Sequence, residues 1–307
     1  MVEKFINPFT DFGFKKIFGE ESNKDLLIDF LNALLDETIQ NLTFLTTERL
    51  GVSEHERNAI FDLYCENERG EKFIVELQKA KQIFFKERSL YYSTFAIQEQ
   101  ATKGKWNFRL QRVFSISIMD FVFENGANPD KYFHNVQLIE TETNKVFNDK
   151  LRFVYLEMPK FKKTFEELTT KFDKWMYFLK NLVQFDEIPQ EVKGEMFLKL
   201  FQVAEIAKYN RQQRMEYYED QKILWDNQNV IDTAVADGLA EGIERGMKQG
   251  LEKGLEKGLE QGLEQGLEQG RVESKKFIAA NLKKVGVDVK DIATATGLTV
   301  EEIENLG

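Results

Sequence analysis

Residues 59–78 read AIFDLYCENERGEKFIVELQ, and the fold turns on how this stretch is parsed. Two β-like runs, Ala59–Cys65 and Lys72–Gln78, flank the polar, glycine-ended segment Asn67–Gly70, which supplies a turn. A connection this short makes the two runs antiparallel neighbours. Both runs have apolar neighbours on either side of a single carboxylate: Asp62 within Ile60-Phe61-Asp62-Leu63-Tyr64, and Glu76 within Phe73-Ile74-Val75-Glu76-Leu77. That pattern marks strands covered on both faces, where an ionised carboxylate is costly unless it is paired or binds a cation. Strand alternation puts Glu76 and Gln78 on one face and Leu77 on the other, and it lets Asp62 meet Glu76 across the pair. Two adjacent carboxylates suit an oxygen-seeking cation, Mg²⁺ or Mn²⁺. The competing reading leaves both acids solvated at strand edges, or paired with Arg57 or Lys79.

Working outward, a third β-like run, Asn41–Thr47, precedes the pair. Before it, Asn23–Leu35 has the spacing of an amphipathic helix, with Leu26, Leu27, Phe30, Leu31, Leu34 and Leu35 apolar. After the pair come a long helical pattern, Phe85–Lys103, and a strand, Val113–Met119. The order is helix, three strands, helix, strand. A hairpin gives an antiparallel pair and a helical crossover favours a parallel return, so the fold class is α/β with a mixed central sheet flanked by helices. Residues 165–228 are mainly helical, with Trp175, Phe178, Leu179 and Leu182 on one face and Met196, Phe197, Leu200 and Phe201 on another.

Composition bounds the chemistry. Of 307 residues, 42% are hydrophobic and 31% charged, with 27 Phe against 4 Pro, which points to a packed interior rather than disorder. No stretch approaches the roughly 20 apolar residues of a membrane-spanning helix. The N-terminus MVEKFINPFT lacks the pattern of a signal peptide, so the chain reads as soluble and cytoplasmic. One cysteine, Cys65, excludes an internal disulfide and argues against thiolate zinc sites. Two histidines, His55 and His134, argue against imidazole-rich metal centres, and solvated loops are their expected place. The net charge of −10 weighs against nucleic-acid binding without removing it, because a site for divalent cations must itself carry carboxylates.

The residues now resemble a known family. Thr10-Asp11-Phe12-Gly13-Phe14-Lys15-Lys16-Ile17-Phe18-Gly19, then Asp62, then Val75-Glu76-Leu77-Gln78, then Arg88 with Tyr92 look like the recombination-promoting nuclease/transposase branch of the PD-(D/E)XK nuclease superfamily. The resemblance covers residues 5–230 and extends to the glycine-punctuated tail and its Ala295-Thr296-Gly297-Leu298 ending. It implies a restriction-endonuclease-like core of order αβββαβ and a bacterial, Mg²⁺-dependent endodeoxyribonuclease associated with DNA recombination or mobile elements. In that reading Asp62 and Glu76 ligate Mg²⁺, or alternatively Mn²⁺, with the Leu77 backbone carbonyl as a third ligand. The superfamily's motif ends in Lys, whereas this chain has Gln78, which can orient a water but adds no positive charge. Lys79 or Lys81 would have to supply it. The alternative function is therefore a catalytically weak DNA-binding or assembly protein that retains the nuclease fold.

Five further residues belong to this candidate site. Asp11 reads either as a third acidic ligand or as the N-cap of a helix over Phe12–Phe18. Lys15 and Lys16 read as phosphate contacts or as solvated charges. Arg88 and Tyr92, four residues apart, share a helix face that meets either the scissile phosphate and Glu76 or ordinary surface.

The expected organisation is a nuclease-like domain over 1–230 (core 5–125, helical extension 160–230), a repeat tail over 236–273 and a small helical cap over 274–307. In the tail a glycine recurs at every fourth position from Gly238 to Gly270. A period of four drifts by about 40° per repeat around a helix, so no fixed apolar face persists. The segment reads as a spacer helix that promotes self-association, or as a frayed linker. In the cap, Ala293, Gly297 and Ile303 have helix-turn-helix spacing and Thr299 with Glu302 makes a capping box. Five acidic residues stand against Lys290 alone over 288–307, which favours a protein-contact module over a DNA reader.

Overall fold

In the computed structural model, which describes residues 3–49, 59–122, 128, 130–190, 192 and 194–306, helices α1 (Asp11–Phe18) and α2 (Lys24–Leu35) come first. Strands β1 (Leu42–Phe44), β2 (Glu48–Arg49), β3 (Ala59–Ile60), β4 (Leu63–Asn67) and β5 (Lys72–Gln78) follow, then helix α3 (Phe85–Gln98) and strand β6 (Val113–Met119). Strands β7 (Phe133–Glu140) and β8 (Lys145–Glu157) form a hairpin, and helices α4 (Lys171–Asn181), α5 (Glu195–Ala204), α6 (Arg211–Lys284), α7 (Val289–Thr296) and α8 (Val300–Glu304) complete the chain.

Six strands make one mixed sheet in the order β1-β4-β5-β6-β8-β7. The β4–β5 hairpin is antiparallel, with Leu63 opposite Val75, and the α3 crossover returns β6 parallel to β5. Strand β8 also runs parallel to β6, while β7 and β1 add antiparallel edges. The expected α/β class and mixed sheet are thus observed. Alternation sorts the strands onto two cores. Phe73, Val75 and Leu77 face a core shared with α1, α2, α4 and α5, whereas Ile74 faces the smaller core beneath α3. All six apolar residues expected along α2 are buried, as are Trp175, Phe178 and Leu179 of α4 and Phe197, Leu200 and Phe201 of α5.

Three expectations are corrected. The run Ala59–Cys65 is not one strand: β3 pairs with β2 in a separate two-stranded ribbon, and the chain bends at Asp62 before β4 enters the main sheet. Asp62 causes the break, because its carboxylate takes the Leu77 N–H that a continued ladder would have used. The helix expected over Phe85–Lys103 stops at Gln98; beyond it the Gln100 amide bonds the Ala96 carbonyl and accepts from the Gln111 N–H, which turns the chain. His134 is not a solvated loop residue but lies on β7, where its Nε2 stands 2.7 Å from the fully buried Glu157. His55 and Arg57 lie outside the described residues.

The chain divides into two units, Met1–Asp226 and Asn227–Gly307. The first holds the sheet and both of its cores. In the second, α6 stays helical through every glycine of the repeat. Around its end Ala279, Ile292, Leu298 and Ile303 form a small core, Gly297 takes the left-handed conformation (φ 72°) that ends α7, and Thr299 and Glu302 cap α8 reciprocally. The Lys283 ammonium donates to the carbonyls of Ile303, Glu304 and Leu306 and closes that unit. Among the described residues no helix is long and apolar enough to cross a membrane.

Candidate active site

The β4–β5 hairpin sets Asp62 directly beyond the last ladder pair, opposite Glu76. The two residues clasp each other through backbone and side chain. The Asp62 N–H donates to Glu76 Oε1 at 3.3 Å, and the Leu77 N–H donates to Asp62 Oδ2 at 2.7 Å. The Gln78 amide, on the same face as Glu76, donates to Glu76 Oε2 at 3.1 Å. Glu76 and Gln78 are 6% and 7% exposed, so this polar cluster sits inside the fold rather than at a solvated strand edge.

Burial is the largest influence on both acids. It pushes Glu76 up to about 8, with the charge of Asp62 adding to the rise and the Asp62 N–H, Arg88 and the Gln78 amide opposing it. Asp62 is also raised, by burial first; the Leu77 N–H, Lys15 and Lys79 oppose the shift and Asp11 adds to it. Two acids that resist ionisation together form a site short of positive charge.

The remaining candidates fall into two groups, one on each side of the clasp. Asp62 opens into a cleft of about 660 Å³ whose walls include Asp11, Lys15 and Lys16 of α1 and Glu216, Glu219 and Asp220 of α6. Glu76 and Gln78 instead line a narrow cavity under α3 with Arg88, Ser89 and Tyr92. Asp11 is not the helix cap: Thr10 caps α1, its hydroxyl accepting from the Gly13 N–H at 2.9 Å, and Asp11 pairs with Lys15 at 2.9 Å. Thr10 wins because it is wholly buried at the position preceding the helix, which leaves Asp11 in the first turn facing the cleft. Lys16 pairs with Glu20 at 2.7 Å. Arg88 lies over the Tyr92 ring at 4.9 Å and donates to Gln82 at 2.9 Å, so the pair shares a face as its spacing predicts.

Sequence reasoning missed the acidic wall from α6. Asp220 accepts from the Phe12 N–H at 2.6 Å and so fixes the start of α1 beside Asp62. The signal was present, since Glu216 and Asp220 are four residues apart on one helical face. In all, the cleft carries six carboxylates against two lysines. Among the described residues no group of three or more His, Cys, Asp or Glu side chains gathers closely enough to hold a metal ion by itself. A cation here would be held by two carboxylates and completed by oxygens of water, backbone or substrate, a donor set that suits Mg²⁺.

Comparison with known families decides the relationship. The family model described as PD-(D/E)XK nuclease family transposase matches residues 8–234. The chain belongs to this family. Neither the curated proteins nor the solved structures yield a match. The match takes in the hairpin, the clasp, α3 and the cleft-forming start of α6, so the nuclease-family domain includes every candidate residue named above.

Proposed function

We propose that the chain is a divalent-cation-dependent endodeoxyribonuclease that hydrolyses DNA phosphodiester bonds in recombination or the movement of mobile elements. The observation that carries this reading is the Asp62–Glu76 clasp with Gln78 beside it. Asp62, Glu76 and the Leu77 carbonyl would hold Mg²⁺ or Mn²⁺, and the donor chemistry fits because the buried Glu76 and the half-buried Asp62 both resist ionisation there. A bound cation supplies Lewis acidity and a water of lowered pKa. Gln78, whose amide holds Glu76 in place, would orient that water. Asp11 would join the set only by releasing Lys15. Lys15 and Lys16 on the cleft side, and Arg88 and Tyr92 on the α3 side, would contact the DNA backbone on either side of the scissile phosphate. With six carboxylates against two lysines, the cleft would hold a phosphate poorly unless a cation offset its charge.

Residues 1–230 would form the nuclease-like domain, 236–273 a repeat tail that promotes self-association and 274–307 a helical cap. A catalytically weak DNA-binding or assembly role is the second reading, favoured by one observation: the neutral Gln78 amide stands where the superfamily motif has an ammonium group. Plasmid nicking by wild type and Asp62→Ala in Mg²⁺, Mn²⁺ and EDTA separates the two. Metal-dependent nicking that falls about a thousandfold in the variant, the equivalent of several kcal/mol of lost charge stabilisation, supports the nuclease. Equal nicking by both proteins sinks it, and DNA binding with no cleavage favours the second reading.

A further inference from the structure

Ile83 and Phe84 are 91% and 70% exposed, at the tip of the connection that leads from Gln78 into α3. Large apolar side chains pay to stand in water, and this pair is held there by construction. The next residue, Phe85, is 5% exposed and packs edge-on against Phe121 at 5.9 Å and Tyr155 at 5.7 Å. Arg88 braces the connection from the other side through its 2.9 Å bond to Gln82. The tip is therefore mounted on the core rather than hung from it.

Its surroundings indicate what it meets. Arg88 and Tyr92 form a shared wall: on one side is the narrow cavity of Glu76 and Gln78, and on the other an open cleft lined by Lys81, Ile83, Phe84 and Tyr91. Residues 79–88 hold four basic side chains (Lys79, Lys81, Lys86, Arg88) against Glu87 alone, in a chain whose net charge is −10. Lys81 and Arg88 line the cleft beside the two exposed apolar side chains, with Glu87 as its one acid, and this segment's excess of cations complements a polyanion with an apolar interior, which describes stacked DNA bases inside their phosphate backbones. A second copy of the chain fits poorly, because a self-complementary contact would bring the same four cations against each other.

We propose that Ile83 and Phe84 form a wedge that inserts between base pairs of the DNA whose backbone Arg88 and Tyr92 engage, an inference that rests on the nuclease reading above. Insertion of paired apolar side chains unstacks a base step and kinks the duplex. Placed next to the clasp, the wedge bends the DNA so that the scissile phosphate enters the narrow approach to Glu76, and it biases cleavage toward easily unstacked pyrimidine–purine steps.

The test reads DNA topology, which needs no knowledge of a target sequence. Full-length protein is bound to closed circular plasmid with Ca²⁺ under conditions that leave the plasmid intact. The plasmid is then relaxed with a metal-independent topoisomerase, and its linking number is measured after the protein is removed. Wild type should shift the topoisomer distribution in proportion to protein bound. The Ile83→Ser/Phe84→Ser variant should melt at the same temperature, bind comparably in a mobility-shift assay and lose the shift. Equal shifts from both proteins, or none from wild type, overturn the wedge. If the serine variant loses binding, Ile83→Leu/Phe84→Leu decides: binding with a restored shift supports the proposal, and loss in this variant too overturns it. Wild type that nicks plasmid in Mg²⁺ yet never alters linking number refutes the wedge alone, whereas wild type that binds no DNA refutes the nuclease reading with it. A serine variant that only becomes more monomeric in sedimentation assigns the surface to protein contact and also overturns the proposal.

Discussion

Glu76 is where the site's chemistry and its instability meet. With its pKa pushed up to about 8 by burial and by Asp62, the folded protein keeps a proton that the unfolded chain releases near the ordinary carboxylate value of 4.5. Between those values the native state binds more protons than the unfolded state, so stability falls as pH rises through that window. In EDTA, the melting temperature of wild type should decline from pH 5 to pH 8 relative to Glu76→Gln, whose amide never ionises. The two proteins should converge at the acid end. Saturating Mg²⁺ should then raise the wild-type melting temperature at pH 8 and leave the variant nearly unmoved, because a ligand that binds only the native state stabilises it by mass action. Melting curves that stay parallel across pH would mean that Glu76 does not carry this strain.

At the scale of elements, α1 delivers Asp11, Lys15 and Lys16 to the cleft, and what holds α1 is aromatic packing beneath it. Trp175 of α4 is fully buried, lies 5.8 Å from both Phe18 and Phe30 and 5.2 Å from Phe197, and donates its indole N–H to Asp29 at 2.9 Å. One side chain thus ties four helices together. Trp175→Ala should cost about 3–5 kcal/mol, read as a lowered urea midpoint, and should weaken cleavage even below that midpoint by loosening α1. Trp175→Phe should recover most of the stability, and an unchanged midpoint in the alanine variant would refute this account of the packing. The same elements show what the sequence made legible. The helix over 24–35, the β4–β5 hairpin and β6 follow from spacing alone, because each has a regular apolar period and a clear turn. The break at Asp62 does not, since it arises from a side chain competing for a backbone N–H in another strand. Strands β7 and β8 escaped because their outer halves are exposed on both faces, the inner half of β8 is buried on both, and the register shifts near Leu138, so no single alternation runs through them. For the site, the Asp62–Glu76 meeting and the Arg88–Tyr92 face were readable from periodicity, whereas the i, i+4 spacing of Glu216 and Asp220 marks an acidic face on α6 without saying that it meets α1, some 200 positions away in sequence.

For the whole molecule, the question is why a helix as long as α6 tolerates nine glycines. At each of them from Gly238 to Gly270 an added Cβ would meet nothing within 4 Å, so no contact within the chain demands glycine there. Leu251, Leu255, Leu259, Leu263 and Leu267 are likewise 63–74% exposed along the same stretch. Glycine costs a helix up to about 1 kcal/mol per position relative to alanine, so the repeat weakens the segment without any intramolecular return. If its purpose is close approach between two such helices, the glycines are contact points that only an assembly reveals. Replacing Gly250, Gly254, Gly258 and Gly262 with Ala should then raise helicity and thermal resistance of the tail by circular dichroism while shifting sedimentation of the full chain toward monomer. Metal-dependent cleavage per binding site should not change, because the family match ends at residue 234 and every proposed catalytic residue lies before it. A quadruple variant that gains helicity and associates as wild type does would remove self-association from the repeat and leave it a spacer whose glycines merely soften it.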